Sequence, residues 1–390
     1  MNSERPASLD APHAPIYLDY NATTPVDPRC AAAMAPYIHE VFGNPNSGHV
    51  FGRRAREGVE SARRQLADFL GCTPAEVMFT SGGTESNNQA IKGAVWARRD
   101  RGRHLVTTAV EHPATLGPMR WLEREGGSTT VVGVDGFGMV DPAAIRDALR
   151  DDTVLVSVMH ANNEVGTLQP VAEIAAICRE RGVLLHVDAA QSAGKVPVRL
   201  DELGADLISV ASHKMYGPKG MGVLVVREGV ELENLMHGAN QERGRRGGTE
   251  NVILAVGMGA AAEAAGEDLE GHAGHLRALR DRLAAGLLEG AGPAVVHGHP
   301  ERRLPNTLSI GFPGLIAADI MAAVPGIACS AGAACHDGKT KVTAVLAAMN
   351  VVEHVAMGTL RLSAGRFTQD EEIERAISLL ICAIGDLRRG

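Results

Sequence analysis

Several things are missing from this chain of 390 residues. It has no long apolar run: segments such as Val154–Met159 fall far short of the roughly 20 residues that span a bilayer. It has no excess of basic charge. Its 38 Lys and Arg face 46 Asp and Glu, leaving a net charge of −8, which argues against nucleic acid or an anionic membrane as the main partner. The opening "MNSERPASLDAPHAP" holds Glu4 and Asp10 and no hydrophobic stretch, so it reads as a loose tail and not as a signal or transit peptide. No disulfide framework shows in the cysteine spacing. Cys30, Cys72, Cys178 and Cys382 are scattered, and reduced thiols in a cytoplasmic protein are the default reading. No internal repeat is visible.

What is abundant is glycine, at 45 residues against a usual share of about 7%. Many of these glycines fall where a β-like run meets a helix-like run. A composition of 45% hydrophobic and 22% charged residues is that of a soluble globular protein. The length exceeds one compact core and implies two domains. From about Ile16 to Val226, short runs such as "VMFTSGG", "HLVTTAV", "STTVVGVD", "TVLVSVMH", "VLLHVDAA", "DLISVAS" and "GVLVVRE" alternate with amphipathic segments. That alternation predicts an α/β fold with a mostly parallel, doubly wound sheet. Beyond Val252 the pattern changes to one long Ala/Glu/Leu/Arg helix, the strand-like "TLSIGF" and "IACSAGA", and further helices. We expect a large domain over 16–255 and a smaller α+β domain over 256–390. The tail 1–15 either packs with the smaller domain or is disordered.

Ligands of such sheets bind beyond the carboxyl ends of the strands, so the residues following each run are the ones to inspect. "FTSGGTESNN" puts Ser81, Gly82, Gly83 and Thr84 at a strand-to-helix turn, which suits a phosphate but also an ordinary turn. "LLHVDAAQS" ends an apolar strand on Asp188, either a helix cap or a carboxylate paired with a cation or donors. In "LISVASHKMYGPKG", Lys214 follows Ser212 and His213. It is a surface lysine with a packed stem, or an amine available for a Schiff base. Taken together the three stretches fit pyridoxal 5'-phosphate, which needs a Schiff-base lysine, a carboxylate for its pyridine nitrogen and a phosphate cup. His112 of "AVEHPATL" would supply a flat group over the ring. Lys214 lies 26 residues after Asp188, one crossover and one strand away.

The ordered stretches "YLDYNATTP", "GNPNSGHVFG", "FTSGGTESNN", "EHPA", "HANNEVG", "VDAAQSAGK", "SHKMYGPKG", "RRGGTEN" and "LRLSAGRFT" resemble the signatures of the cysteine desulfurases. These are class V aminotransferase-like, pyridoxal phosphate-dependent enzymes of fold type I, whose large domain carries a seven-stranded type of sheet. The resemblance runs from about residue 16 to 380. It implies Lys214 as the Schiff-base lysine, Asp188 at the pyridine nitrogen, and His112 stacked on the ring and moving protons. Asn163 and Gln191 would contact the ring and its phenolic oxygen, and Gly83, Thr84, Ser212 and His213 would hold the phosphate. Thr249 matches a threonine that relatives offer to the phosphate of a partner subunit, which implies a homodimer. Arg361 would grip the substrate carboxylate, with Asn163 beside it.

Two cysteines, Cys329 and Cys335, lie close together in "GIACSAGAACHDGKT". "SAGAAC" resembles the family's catalytic-cysteine loop and implies Cys335 as the nucleophile, on the long mobile loop of the housekeeping branch. Cys329 sits in an apolar run and is read as packing. His336 beside Cys335 leaves a zinc set incomplete, and a Cys329–Cys335 disulfide fits poorly with a reducing compartment; no metal is expected. The implied reaction converts L-cysteine to L-alanine and leaves sulfur on Cys335 as a persulfide for an acceptor protein such as an iron–sulfur scaffold. "GAACHDG" also resembles selenocysteine lyases, so L-selenocysteine is the alternative substrate. A pyridoxal phosphate-fold scaffold without turnover is a more distant alternative. Arg243, Arg245 and Arg246 form either a solvated cluster or a contact for a partner or substrate. His272 and His275 read as solvated helix residues.

Overall fold

Most of the chain's apolar runs become strands buried on both faces. The structure, a computed structural model, describes residues 5–10, 14–336 and 339–390; at 7, 10, 333–336, 339 and 340 it describes the backbone alone. Seven strands form the main sheet in the order Val77–Thr80, Gly222–Val226, Leu207–Ala211, Leu184–Asp188, Thr153–Met159, His104–Thr108 and Ser128–Val132. From Leu207–Ala211 to Ser128–Val132 every pairing is parallel. The inner strands are covered by helices on both sides, which is why they read as apolar runs without alternation; the edge strand Ser128–Val132 is only partly buried.

Gly222–Val226 is the exception and pairs antiparallel with both neighbours. No crossover helix precedes it. The chain turns back directly after Lys214, and Ser212 N–H bonds to Met221 O at 3.1 Å; a short return of this kind can only make an antiparallel pair.

Polar residues inside the sheet pair with one another. His186 contacts Ser157 Oγ through Nδ1 and Ser209 Oγ through Nε2, each at 2.8 Å. It thereby links three adjacent strands. Burial lowers its pKa to about 4, so the ring is neutral and both bonds are those of an uncharged imidazole.

A second apolar core lies under a four-stranded antiparallel sheet of Ser330–Ala331, Thr359–Ser363, Thr307–Gly311 and Val295–His297. Leu276, Leu279, Leu283 and Leu287 contribute from the Leu269–Gly290 helix. Ile373, Ala376, Leu380 and Ile384 contribute from the Asp370–Arg389 helix. Both sets recur at three- and four-residue spacing, one face of each helix. Ile16 and Leu18 join the same core, because Ile16–Tyr17 pairs with Ile327–Ala328. Arg5 reaches Glu372 at 2.6 Å.

The long helix expected after Val252 is two helices, Val252–Gly266 and Leu269–Gly290. Asp268 breaks it by capping the second, accepting a bond from Gly271 N–H at 3.0 Å; an aspartate is more favourable at that start than in a helix interior. Among the described residues no helix is long and apolar enough to cross a membrane.

Candidate active site

Residues at or just after the carboxyl ends of the strands His104–Thr108, Thr153–Met159, Leu184–Asp188 and Leu207–Ala211 line one cavity of about 400 Å³. Gly83, Thr84, His112, Asn163, Asp188, Gln191, His213, Lys214 and Arg361 line it. Nine of the residues singled out from the sequence therefore converge, although they are spread over 279 positions.

One end of the cavity is the start of the Gly83–Ala97 helix. Gly82 caps it with φ of 145° and offers no side chain to the first N–H groups. A Cβ on Gly222, in the neighbouring strand, would lie 2.7 Å from Gly82 Cα, so the clash requires glycine at 222, while at 82 it is the positive φ that favours glycine. The first N–H groups of a helix lack partners within the helix and favour an anion. Ser212, next to His213, has its Oγ buried without a hydrogen-bond partner. A buried hydroxyl without a partner is uncommon; Ser212 itself does not line the cavity, and its Oγ lies against Gly217, where an added Cβ would come within 2.1 Å of it.

At the opposite side, Asp188 ends its strand with Oδ2 accepting from Asn87 Nδ2 at 2.7 Å and Oδ1 accepting from Ala190 N–H at 3.0 Å. Both are neutral donors, so neither supplies the carboxylate with a counter-charge. His112 precedes the Pro113–Arg124 helix and accepts Ala114 N–H at Nδ1, 3.1 Å away. That bond uses the Nδ1 lone pair and places the proton of the neutral ring on Nε2. Burial lowers its pKa; Asp188 opposes the shift and Lys214 adds to it.

Lys214 donates to Asn21 O at 2.6 Å and Ala22 O at 2.8 Å. Burial is the main cause that lowers its pKa to about 8, with Arg361 adding; Asp19 and Asp188 push the other way. The free amine is therefore a minor form at pH 7 and becomes the major one above about pH 8, more than two units earlier than for an ordinary lysine. His213 approaches Thr23 Oγ1 at 3.1 Å, and burial, helped by three lysines, lowers it to about 4.

Other expected residues lie elsewhere. Thr249 is exposed in a groove with Phe79, Ser81, Gly220 and Arg246, outside its own chain's cavity. The Cys335 backbone is in the strand Ala333–His336, opposite Thr340 of Lys339–Val342. The side chains of Cys335 and His336 lie outside the described residues. Cys329 is buried, and burial pushes its thiol up to about 12, which suits packing and not nucleophilic attack.

The three clustered arginines all have partners within the chain. Arg246 pairs with Glu85 at 2.9 Å. Arg245 and Arg243 donate to Ala75 O and Pro74 O at 2.9 and 3.0 Å. They fasten their loop to the turn before the Val77–Thr80 strand.

Four residues of the site were not assigned roles from the sequence. Asn21 joins both cores: its Nδ2 donates to Asn163 O and Thr307 Oγ1, and its Oδ1 accepts from Lys195 and Asn306. Asp19 holds Arg361 at 2.8 Å. Glu111 is buried and accepts from Thr108 Oγ1 at 2.7 Å and Met159 N–H at 2.9 Å, tying two strand ends together. Asn87 sits four residues after Gly83, a spacing that places both on one helix face; that signal could have found it.

The comparisons agree with this geometry. The profile of the family Aminotransferase class-V matches residues 16–376. The cysteine desulfurase IscS of Neisseria meningitidis is 46% identical over 377 residues, 96% of this chain and 93% of that one. A solved NifS-like protein superposes with a TM-score of 0.90 at 38% identity, covering 95% of this chain and 99% of its own. A structure described as SspA in complex with cysteine gives 0.81 at 32% identity, covering 91% and 100%. The chain belongs to the class V aminotransferase family, with the pyridoxal phosphate-dependent enzymes of fold type I. Within it, its place is among the cysteine desulfurases of the IscS/NifS type.

Proposed function

We propose that this protein is a pyridoxal phosphate-dependent cysteine desulfurase that converts L-cysteine to L-alanine and takes the sulfur onto Cys335 as a persulfide. The observation that carries the reading is the meeting of Lys214, Asp188, His112 and Arg361 in one cavity. The cavity's residues fit the cofactor: the helix start at Gly83 and Thr84 lines it without a side-chain cap, and Asp188 is bonded to the neutral donors Asn87 and Ala190. Gly83, Thr84, Ser212 and His213 would hold the phosphate, Asp188 the pyridine nitrogen, and His112 the ring face. Bound there, pyridoxal phosphate would supply an electron sink for charge developing at the substrate Cα.

The chain's own residues supply binding and proton transfer. Arg361 would bind the substrate carboxylate through its guanidinium, with Asn163 beside it. Lys214, with a pKa of about 8, would take the Cα proton as the free amine. His112, whose Nδ1 is taken by Ala114 N–H, lines the same cavity and would donate a proton from Nε2. The Cys335 thiolate would attack the substrate sulfur, forming an S–S bond as the Cβ–S bond breaks. The carbon is reduced, the sulfur oxidised, and a proton completes alanine, so no outside oxidant is needed.

A persulfide must be delivered, so we assign an acceptor protein as partner, with an iron–sulfur scaffold as the first candidate. The chemistry suits a reducing, cytoplasmic setting. A homodimer is supported by two features. Thr249 lies outside its own cavity, and Phe42 and Phe51, 71% and 47% exposed, stack on each other at 5.3 Å.

The test is alanine release by the cofactor-loaded protein from L-cysteine and, in parallel, from L-selenocysteine. Turnover of cysteine with a gain of about 32 Da, one sulfur on a reactive thiolate, mapped to Cys335 supports the reading. Turnover of selenocysteine alone would reassign the substrate. An adduct on Cys329 would reassign the nucleophile.

A further inference from the structure

Lys195 is buried, 5% exposed, and does not line the cavity. Its Nζ donates to Gln191 Oε1 at 2.9 Å and to Asn21 Oδ1 at 3.2 Å. Neither acceptor is an acid. The charges acting on it are Lys214 and Arg361, both cations, and with burial as the first cause they push its pKa well below the ordinary lysine value. A neutral amine has two N–H bonds, and the two acceptors use both. A buried lysine arranged in this way acts as a fixed double donor and not as half of an ion pair. The backbone places it there through Gly194, whose φ of 77° turns the chain back inward.

Its effect falls on Gln191, whose amide could in principle present either end to the cavity. With Oε1 held by Lys195, Nε2 is directed to the other side and donates to Asn21 O at 2.9 Å, the same carbonyl that Lys214 Nζ contacts. One N–H of Gln191 remains for a ligand beside Lys214. We propose that Lys195 is a positioning residue that locks the Gln191 amide with its nitrogen, not its oxygen, toward the phenolic oxygen of the cofactor.

This rests on the pyridoxal phosphate reading above. The consequence is chemical. The phenolic oxygen neighbours the carbon that Lys214 would engage, and a donor to that oxygen stabilises it as the anion and lowers the proton affinity of the lysine–cofactor nitrogen. An amide turned the other way would set oxygen against oxygen and raise that affinity. The other groups facing Lys214 are Arg361, Asp19, Asp188, His112 and the adjacent His213, and all are retained when Lys195 alone is changed.

The experiment is a pH titration of the visible absorbance of the cofactor-loaded protein. In Lys195→Met the chain length is kept and the donor lost. The midpoint should move upward by about one to two units, the scale of losing one hydrogen bond to a charged group. Lys195→Leu gives the same reading if the Met variant packs poorly. Gln191→Leu should shift the midpoint by a similar amount, with no further shift when combined with Lys195→Met. A midpoint in Lys195→Met or Lys195→Leu equal to that of the unmodified protein overturns the inference, as do additive shifts in the double variant. A wild-type protein that takes up no cofactor overturns the earlier reading instead, so the two failures are separable.

Discussion

Arg361 donates from Nη2 to Asp19 Oδ1 and to Ser330 Oγ, both at 2.8 Å, while Ser330 Oγ donates to Asp19 at 2.9 Å. Its Nη1 bonds to Asn163 O at 3.2 Å, and its buried Nε has no partner. The guanidinium is therefore aimed by three residues and still has a free N–H edge. Ser330 lies five residues before Cys335, so the same triangle anchors the start of the segment carrying the proposed nucleophile.

Arg361→Lys tests that aim. Lysine keeps the charge but cannot reproduce the planar fork that holds Asp19, Ser330 and Asn163 while binding a carboxylate. The KM for L-cysteine should rise roughly tenfold or more, with a smaller change in kcat. Steady-state kinetics on the loaded enzyme measure it. An unchanged KM would remove Arg361 from substrate binding.

The second prediction concerns Lys214. Burial depresses its pKa from 10.5 to about 8, and only the free amine attacks an aldehyde. Cofactor capture by the cofactor-free protein should speed up with pH by nearly tenfold per unit below about 7 and level off above about 9. Stopped-flow absorbance follows it; a plateau reached only above about 10 would show an unperturbed lysine. Linkage gives a companion sign. Between pH 8 and 10.5 the unfolded chain holds the proton that the folded one has released, so this group's contribution to stability improves as pH rises through that window.

Much of this site could be read in the sequence because its groups sit where strands end, and strand ends are marked by a change from apolar to small polar residues. Asp188, Lys214 and His112 all follow that pattern. Three features were harder to see. Asn21 is a single polar residue in a loop, and its importance comes from contacts with Asn163, Lys195, Thr307 and Asn306, none of which adjacency in sequence reveals. The reversed Gly222–Val226 strand looks like its parallel neighbours in composition, since it is equally buried. Only the short return after Lys214 distinguishes it. The Val252–Gly290 region kept helical periodicity across Asp268, and the break depends on a cap that propensity alone did not weigh.

Asn87 gives a third prediction. Its Nδ2 bonds to Asp188 Oδ2 at 2.7 Å and to Thr115 Oγ1 at 3.2 Å, steadying the carboxylate that would face the pyridine nitrogen. Asn87→Ala removes a hydrogen bond to a charged group, worth about 1.5–3 kcal/mol. Cofactor affinity should fall by roughly one to two powers of ten, while the cofactor-free fold changes little because Asp188 keeps Ala190 N–H. Equilibrium dialysis against free cofactor decides. Wild-type affinity would show that Asp188 needs no such support.

The last prediction concerns the loop that presents Thr249. Glu242 is buried and accepts from Arg63 twice, at 2.8 and 2.9 Å, and from Phe79 N–H at 2.9 Å. Glu242 and Arg243 have φ of 48° and 58°, an unfavourable conformation for residues with side chains. The ion pair holds that backbone against the Val77–Thr80 strand, next to the Gly82 turn. Arg63→Met leaves the Glu242 carboxylate buried without its cation and should cost about 3–5 kcal/mol, whereas replacing both residues by apolar ones of similar size should cost much less. Denaturant unfolding of Arg63→Met, Glu242→Leu and the double variant measures the coupling. The double variant should recover at least about 2 kcal/mol relative to the sum of the two single changes. If the single changes simply add, the pair does not work as a unit, and the strained backbone at Glu242 and Arg243 must be held by the carbonyl contacts of Arg243 and Arg245 instead.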